Sequence, residues 1–264
     1  MFANVRLNRK LCEENDIKEI FVYPGMGDEG IVVGGALQYL LQRDGIRNFI
    51  ENRYRLDNVY FGKDYTDCID TELNNNQSTK LIKGNPSTLA AEMLASNKIG
   101  AIFTGRIEFG PRALGARSIL ANPGDASLNN SLNKRLNRTE FMPFAPYVME
   151  EDAEDIFEIN DINRYACRFM TITVKVRDHW KERIPAVVHV DNTARPQVIN
   201  GKNNPLYSSI LKEFKELTGI PVLVNTSFNA HEEPIINRPE ECLQALLNER
   251  IDFVVTNNGL YQRK

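Results

Sequence analysis

A loop rich in arginine and glycine constrains this 264-residue chain more than any other feature. Residues 105–118 read GRIEFGPRALGARS, and the apolar run at 99–104 before them is typical of a buried strand. Glycine lets backbone amides approach a ligand closely, and guanidinium groups match phosphate or carboxylate oxygens two at a time. The segment therefore predicts an anion-binding site at the carboxyl end of a strand. Its charged candidates are Arg106, Glu108, Arg112 and Arg117.

Two further segments have the same layout, in which an apolar run ends and polar side chains follow. Arg195 follows a valine-rich run at 187–190, and Ser227 and Asn229 follow a run that ends at Asn225. Ligands of open α/β sheets bind outside the carboxyl ends of the strands. If these loops meet, their arginines, hydroxyl and amides suit a polyanionic ligand such as a nucleotide or an acyl phosphate.

Helix and strand signals alternate along the chain, so the predicted fold class is α/β with a mixed sheet. Asn-Pro pairs at 85 and 204 open two helices, because asparagine caps a helix and proline suits its first turn. Other helices are predicted at 4–15, 31–43, 128–135 and 239–248, and strands at 19–23, 99–104, 169–176, 186–190, 221–225 and 251–255. The polar stretch at 45–80 is interpreted as a linker with a short helix, which places a domain boundary near 57–62.

Bulk properties argue against several classes of partner. The net charge is −3, so no global basic field favours nucleic acid. The four cysteines show no CxxC pair and no metal-like spacing, which predicts reduced thiols in a cytoplasmic protein. No run approaches the ~18 apolar residues of a membrane span, so no membrane partner is expected.

The candidate residues also have plain structural interpretations. Arg106 and Glu108 can pair with each other, and Asn225 and Asn229 can bond to backbone within a turn. A basic cluster contains Lys134, and an exposed helix face explains it as well as a site does; its other members are Arg135 and Arg138.

Asp28 lies in a Gly-Asp loop between a predicted strand and a predicted helix. Such a loop is either a phosphate or metal site or a mere connection. His189 alternates with valines and is interpreted as a packed histidine. His179 and His231 are isolated, and no role is assigned to them.

Four stretches in order carry a family resemblance: GRIEFGPRALGARSILANP, FMPFAP, HVDNTARPQ and GIPVLVNTSFNAHEEPI. Together they resemble the signatures of the NodU/CmcH-type O-carbamoyltransferases, the group of the nodulation, cephem and tobramycin carbamoyltransferases. The resemblance covers roughly residues 57–264, and residues 1–45 look like the tail of the preceding domain. It implies a remnant of an actin/hexokinase-like ATPase domain at 1–58 and a YrdC-like domain with a mixed, twisted sheet at 59–264.

The resemblance also implies a two-step reaction. The YrdC-like part would join carbamoyl phosphate and ATP, with Mg²⁺, into carbamoyl adenylate. The other domain would pass the carbamoyl group to a hydroxyl of a sugar-type or antibiotic-type metabolite, with the help of a metal ion such as iron. By motif, the catalytic set would be Arg112, Arg195, Ser227 and Lys134; the substrate- and nucleotide-binding set Arg106, Glu108, Arg117, Arg138, Asn225 and Asn229; and the metal residue Asp28.

Two departures from the family pattern shape the expectation. Met142 stands where the family usually has an arginine, so a phosphate contact is either lost or supplied by Arg138 or Arg135. The start of the chain resembles a motif late in the ATPase-like domain, and no paired-histidine motif is present. We therefore expect a split gene product or fragment that catalyses one half-reaction and depends on a separate N-terminal polypeptide. The alternative is a non-catalytic nucleotide-binding or regulatory module.

Overall fold

The computed structural model describes residues 1–14, 16–137 and 144–264. Within these ranges the α-helices are Val5–Leu11 (α1), Asp28–Glu51 (α2), Thr66–Asn75 (α3), Pro86–Ala95 (α4), Leu128–Arg135 (α5), Glu150–Ile156 (α6), Arg164–Cys167 (α7), Asp178–Lys181 (α8), Pro205–Thr218 (α9) and Pro239–Leu247 (α10). The strands are Thr79–Ile82 (β1), Gly100–Phe103 (β2), Arg117–Ala121 (β3), Ala145–Met149 (β4), Val174–Lys175 (β5), Thr193–Ala194 (β6), Gln197–Ile199 (β7), Val222–Ser227 (β8), Phe253–Val255 (β9) and Leu260–Arg263 (β10).

Eight of these strands form one sheet in the order β1-β10-β9-β2-β3-β8-β4-β7, and β5 pairs with β6 separately. The pairs β2/β9 and β4/β7 are parallel, whereas the other pairs of the large sheet are antiparallel. The predicted α/β class with a mixed sheet is confirmed.

Two core layers cover the two faces of this sheet, because successive side chains of a strand point to opposite faces. Ile102 and Leu223 pack in a cluster that includes Phe214 of α9 and residues of α4. Their neighbours Ala101 and Val224 belong to the other cluster, which includes residues of α3, α5, α6 and α10. Nearly every side chain of the central strands is therefore buried, which makes them a rigid base for the loops at their ends.

The two Asn-Pro helices begin where the sequence predicts. The Asn85 side chain accepts a hydrogen bond from the Ser87 amide (2.9 Å), and the Asn204 side chain accepts one from the Tyr207 amide (3.1 Å). Helix α9 ends at Gly219, whose φ of 69° lies in the left-handed region that favours glycine. Capping signals close to the helix termini therefore locate both elements.

Three predicted strands differ from the structure, because these apolar runs do not join the large sheet. Residues 19–23 have no regular secondary structure, and the run at 169–176 keeps only the two residues of β5. In the second run Met170 has a φ of 57°, which an extended strand cannot contain. The predicted strand at 186–190 is a 3₁₀ turn, Pro185–Val187, and Val190 after it is 97% exposed.

The stretch predicted as a linker is largely structured. Helix α2 continues to Glu51 across a kink at Gly45 (φ 74°), α3 is the predicted short helix, and β1 begins at Thr79. Helix α2 contributes no buried residue, and its Ile31 and Val32 are exposed. Among the described residues no helix combines the length and apolar character that crossing a bilayer requires.

Candidate functional site

Several strands begin or end at the same edge of the sheet, the edge that lies across the strand ends. Arg117 at the start of β3 pairs with Phe103 at the end of β2, and Ser118 pairs with Ser227 at the end of β8. Strand β4 runs antiparallel to β8 and parallel to β7, so β4 and β7 begin at this edge. Arg195 lies two residues before β7 and therefore reaches the same edge.

A cavity of about 150 Å³ lies at this edge. It contains five of the predicted site residues, which come from the loop before β3, the segment before β7 and the end of β8. These residues are Arg112, Arg195, Asn225, Ser227 and Asn229. The structure thus brings together side chains that are more than 100 positions apart in the sequence.

Arg112 and Arg195 give the cavity its electrostatic character. Burial lowers the pKa of Arg112, and burial together with the positive charge of Arg112 lowers the pKa of Arg195 to about 9. With a pKa of about 9, Arg195 stays largely protonated at neutral pH. Their buried Nε atoms have no hydrogen-bond partner, and neither side chain forms an ion pair within the described part of the chain. Two half-buried cations that have no ion-pair partner among the described residues favour binding of an anion.

Glu108 organises the loop that carries Arg112. Its Oε1 accepts hydrogen bonds from the backbone amides of Leu114 (2.5 Å), Ala116 (3.1 Å) and Arg117 (3.4 Å). The side chain is buried, and this burial raises the pKa of Glu108. One carboxylate oxygen therefore holds the turn between Arg112 and β3 in shape.

Arg117 lies beneath the same loop and is 0% exposed. Its guanidinium donates to the backbone oxygens of Thr104 (2.8 Å), Gly105 (3.2 Å) and Ala116 (3.0 Å). It also lies over the Phe103 ring, 3.6 Å from the ring centroid. These contacts direct both terminal nitrogens of Arg117 to the protein framework, whereas Arg112, five residues earlier in the same loop, lines the cavity.

The amide of Asn225 is held in one orientation. Its Nδ2 donates to the Gln197 Oε1 (2.6 Å) and to the Ala113 backbone oxygen (3.1 Å), and Gln197 Nε2 donates to the Leu114 oxygen (2.7 Å). If the amide were flipped, its Oδ1 would face the Gln197 Oε1 and the Ala113 oxygen, which are themselves acceptors. Oδ1 therefore cannot exchange places with Nδ2. Asn225 thus connects β7 and β8 to the loop that carries Arg112.

Replacing Asn225 with leucine should lower stability markedly. The variant leaves the Gln197 Oε1 and the Ala113 oxygen buried without a donor, and each such group costs about 1–3 kcal/mol. We expect the free energy of unfolding in urea to fall by roughly 2–4 kcal/mol. The control is Asn74→Leu, which removes a single, part-buried hydrogen bond, from Asn74 to the Tyr261 hydroxyl (3.0 Å). Equal losses in the two variants would contradict the role given to Asn225.

Ser227 and Asn229 form the other wall of the cavity. The Ser227 hydroxyl donates to Asn229 Oδ1 (2.6 Å), and Asn229 Nδ2 donates to the Glu233 backbone oxygen (2.6 Å). The loop after β8 therefore places a hydroxyl and an amide opposite the arginines.

A tight turn at 189–193 leads the chain toward Arg195. His189 Nδ1 lies 3.2 Å from Thr193 Oγ1, whose proton goes to Asp191 Oδ1 (2.6 Å), so His189 is the donor in the first contact. Burial and then the charge of Arg195 lower the pKa of His189 to about 4. Asp191 also pairs with Arg9 of α1 (3.5 Å). His189 is thus half-buried and hydrogen-bonded, as expected of a packed histidine.

Several predicted site residues lie elsewhere. Arg106 is exposed and lines a separate groove of about 550 Å³, and Lys134 is exposed on α5, outside the described lining of the cavity. Arg138 and Met142 lie outside the described residues, so the expected compensation between them stays a prediction. Sequence reasoning in turn missed Met170 and His231, which line the cavity; neither belongs to a motif that would have identified it.

Asp28 is exposed at the start of α2, and the loop before it packs on the arginine-rich loop. A Cβ at Gly110 would lie 2.8 Å from the Pro24 carbonyl oxygen, and its φ of 107° also demands glycine. Across the described ranges no group of three or more histidine, cysteine or acidic side chains could hold a metal ion. The residues around Asp28 thus do not fit a complete metal site.

The fold and the cavity together define an α/β protein with a small, doubly cationic site at one edge of its sheet. The family described as "Carbamoyltransferase C-terminus" matches residues 91–263. The chain belongs to this family.

Two relatives, found by sequence, agree with the family match. The nodulation protein NolO of Bradyrhizobium diazoefficiens is 35% identical over 268 residues, which cover 99% of this chain and 48% of that protein. An uncharacterized protein of Methanocaldococcus jannaschii is 34% identical over 99% of this chain and 43% of its own length. The crystal structure of HypF from T. kodakarensis aligns with a TM-score of 0.45 and 18% identity, covering 70% of this chain and 23% of that one. The chain spans less than half the length of these relatives.

Proposed function

We propose that this chain is the part of an O-carbamoyltransferase that binds carbamoyl phosphate and ATP, with Mg²⁺, and forms carbamoyl adenylate. The observation that carries the proposal is the pair Arg112 and Arg195, half-buried in one cavity and without an ion-pair partner in the described chain. Family membership supports carbamoyl chemistry as the use of this anion site.

The size of the cavity indicates which part of the reaction it holds. About 150 Å³ is below the volume of sites for drug-sized ligands, and it suits a small anion such as carbamoyl phosphate. A whole nucleotide would extend beyond it, with only its phosphates near the arginines. Fixed cationic donors would neutralise phosphate charge, and the second Nδ2 hydrogen of Asn229 would stabilise an oxygen atom that gains negative charge.

The atoms of the half-reaction balance in two steps. Water cleaves carbamoyl phosphate into carbamate and inorganic phosphate. A carbamate oxygen then attacks the α-phosphorus of ATP, forming the new O–P bond, while the bond to the β-phosphate breaks and pyrophosphate leaves. Arg112 and Arg195 would hold the phosphate groups in both steps.

Transfer to a hydroxyl of a sugar-type or antibiotic-type metabolite is the second part of the proposal. Relatives about twice as long as this chain support the idea that a separate N-terminal part completes the enzyme. Asp28 stays a predicted metal residue, and no step is assigned to a metal because its surroundings do not supply further ligands. We place the protein in the cytoplasm, with its four free cysteines as support.

The purified chain should release pyrophosphate and phosphate when it is incubated with carbamoyl phosphate, ATP and Mg²⁺. Omitting carbamoyl phosphate should abolish pyrophosphate release, because carbamate is the nucleophile. Arg164→Ala is a surface control and should release as much pyrophosphate as the wild-type protein, because Arg164 pairs with Glu154 away from the cavity. If the folded protein binds ATP in calorimetry but releases no pyrophosphate, the non-catalytic nucleotide-binding module replaces this proposal.

A further inference from the structure

An ion pair outside the cavity secures the loop that follows β8. Glu233 lies in this loop, and both of its carboxylate oxygens contact the Arg250 guanidinium, at 2.8 and 3.1 Å. Arg250 belongs to the connection between α10 and β9, where its amide bonds to the Ala245 oxygen (3.1 Å). The contact therefore joins two segments of the chain with a two-pronged geometry that lysine cannot reproduce fully.

Glu233 transmits this constraint to the wall of the cavity. Its backbone oxygen accepts from Asn229 Nδ2 (2.6 Å), and its Oε2 accepts from the Ala230 amide (3.3 Å). Because Nδ2 of Asn229 is directed to Glu233, its Oδ1 faces the Ser227 hydroxyl (2.6 Å). A continuous chain of contacts thus leads from Arg250 through Glu233 and Asn229 to Ser227.

The loop needs such support because its backbone conformation is not one that its sequence favours. Glu232 has a φ of 62°, in the region that L-residues with a Cβ rarely occupy. Ala230, His231 and Glu232 all line the cavity, so relaxation of this backbone would change its shape. Half-exposed ion pairs contribute little to global stability, which indicates that the main effect of this one is on geometry.

We propose that Arg250 is a positioning residue, which sets the orientation of Asn229 and Ser227 through Glu233. The catalytic consequence rests on the proposed function, since it assumes that Ser227 and Asn229 contact carbamoyl phosphate. The geometric consequence, a firmly held loop at 228–236, is independent of any reaction.

The test compares Arg250→Ala, Arg250→Lys and the control Arg164→Ala. Hydrogen exchange of the segment 228–236, which includes the Ile236 amide bonded to the Phe228 oxygen (3.0 Å), should be about tenfold faster in Arg250→Ala, a change equivalent to about 1.4 kcal/mol. In pyrophosphate release, KM for carbamoyl phosphate should rise about tenfold while kcat changes about twofold or less, as expected when uniform substrate binding is lost. Arg250→Lys should recover part of both effects, and Arg164→Ala should show neither.

The two readouts separate the two proposals. If the wild-type protein releases no pyrophosphate, the proposed function fails, while the exchange comparison still decides the role of Arg250. Unchanged exchange in Arg250→Ala, or a loss of kcat with KM unaltered, would overturn the positioning role. Glu233→Gln should reproduce the exchange increase, because it removes the charge from the other side of the same contact.

Discussion

Arg195→Met is expected to abolish most of the activity and at the same time to stabilise the fold. Removing one preorganised donor for a developing oxyanion typically costs about 3 kcal/mol in the barrier, so pyrophosphate release should fall by at least about 100-fold. Arg195 is a half-buried cation, and its partial burial together with the charge of Arg112 lowers its pKa to about 9. Methionine keeps the apolar stem without the charge. The melting temperature should therefore rise by about 2–4 °C, equivalent to about 1 kcal/mol at this chain length.

Ligand-dependent melting measures both halves of this expectation. Pyrophosphate should raise the melting temperature of the wild-type protein, because a ligand that binds only the native state stabilises it, and it should have little effect on Arg195→Met. The control is Arg135→Met. Arg135 has a carboxylate partner, Asp252, at 2.8 Å, so its removal should lower the melting temperature. Full pyrophosphate binding by Arg195→Met, or a melting temperature lowered as in Arg135→Met, would contradict the assignment of an anion site.

The sequence located elements that carry their own local signals. Asn85 and Asn204 cap helices directly, and Gly219 ends one, so these three residues fix the start of α4 and both ends of α9. Strands β2, β8 and β9 were also predicted, because each contains a short, buried apolar run.

Elements defined by distant partners could not be predicted. Strand β3 lies between β2 and β8, and its first residue, Arg117, resembles part of a polar loop until the sheet is assembled. The valine-rich run at 187–190 has the composition of a strand, yet it turns so tightly that Val190 is almost fully exposed. Whether β3 or the run at 187–190 joins the sheet depends on which segments pair with each other in the folded chain.

The sequence predicts which segments meet at the edge of the sheet, but not which of their side chains face the cavity. Arg195 was placed correctly at the edge of the sheet for a partly wrong reason, because it precedes β7 instead of following a strand. Arg112 and Arg117 belong to one motif, yet one lines the cavity and the other is 0% exposed beneath the loop. Whether a charged side chain in a glycine-rich loop faces a ligand or the framework depends on tertiary burial, which spacing does not reveal.

The largest loss of stability is expected on breaking the arrangement of Glu108 and Arg117. Each favours the charged form of the other, and both are buried. Glu108→Ala removes the acceptor of three backbone amides and leaves the Arg117 guanidinium without its nearest buried counter-charge. The free energy of unfolding should fall by at least about 3 kcal/mol, because three buried backbone amides lose their acceptor and each such group costs about 1–3 kcal/mol.

Charge and hydrogen bonding can be separated within this pair. Glu108→Gln retains a side-chain oxygen for the amides of Leu114 and Ala116 and should lose less stability than Glu108→Ala in urea denaturation. The double variant Glu108→Gln with Arg117→Met should lose less than the sum of the single losses, because neither charge is then left buried alone. Glu158→Ala, at an exposed carboxylate 4.0 Å from Lys175, should change the free energy by about 0.5 kcal/mol or less. Strict additivity would mean that Arg117 depends on its backbone acceptors and the Phe103 ring alone, and that Glu108 shapes the loop without its charge.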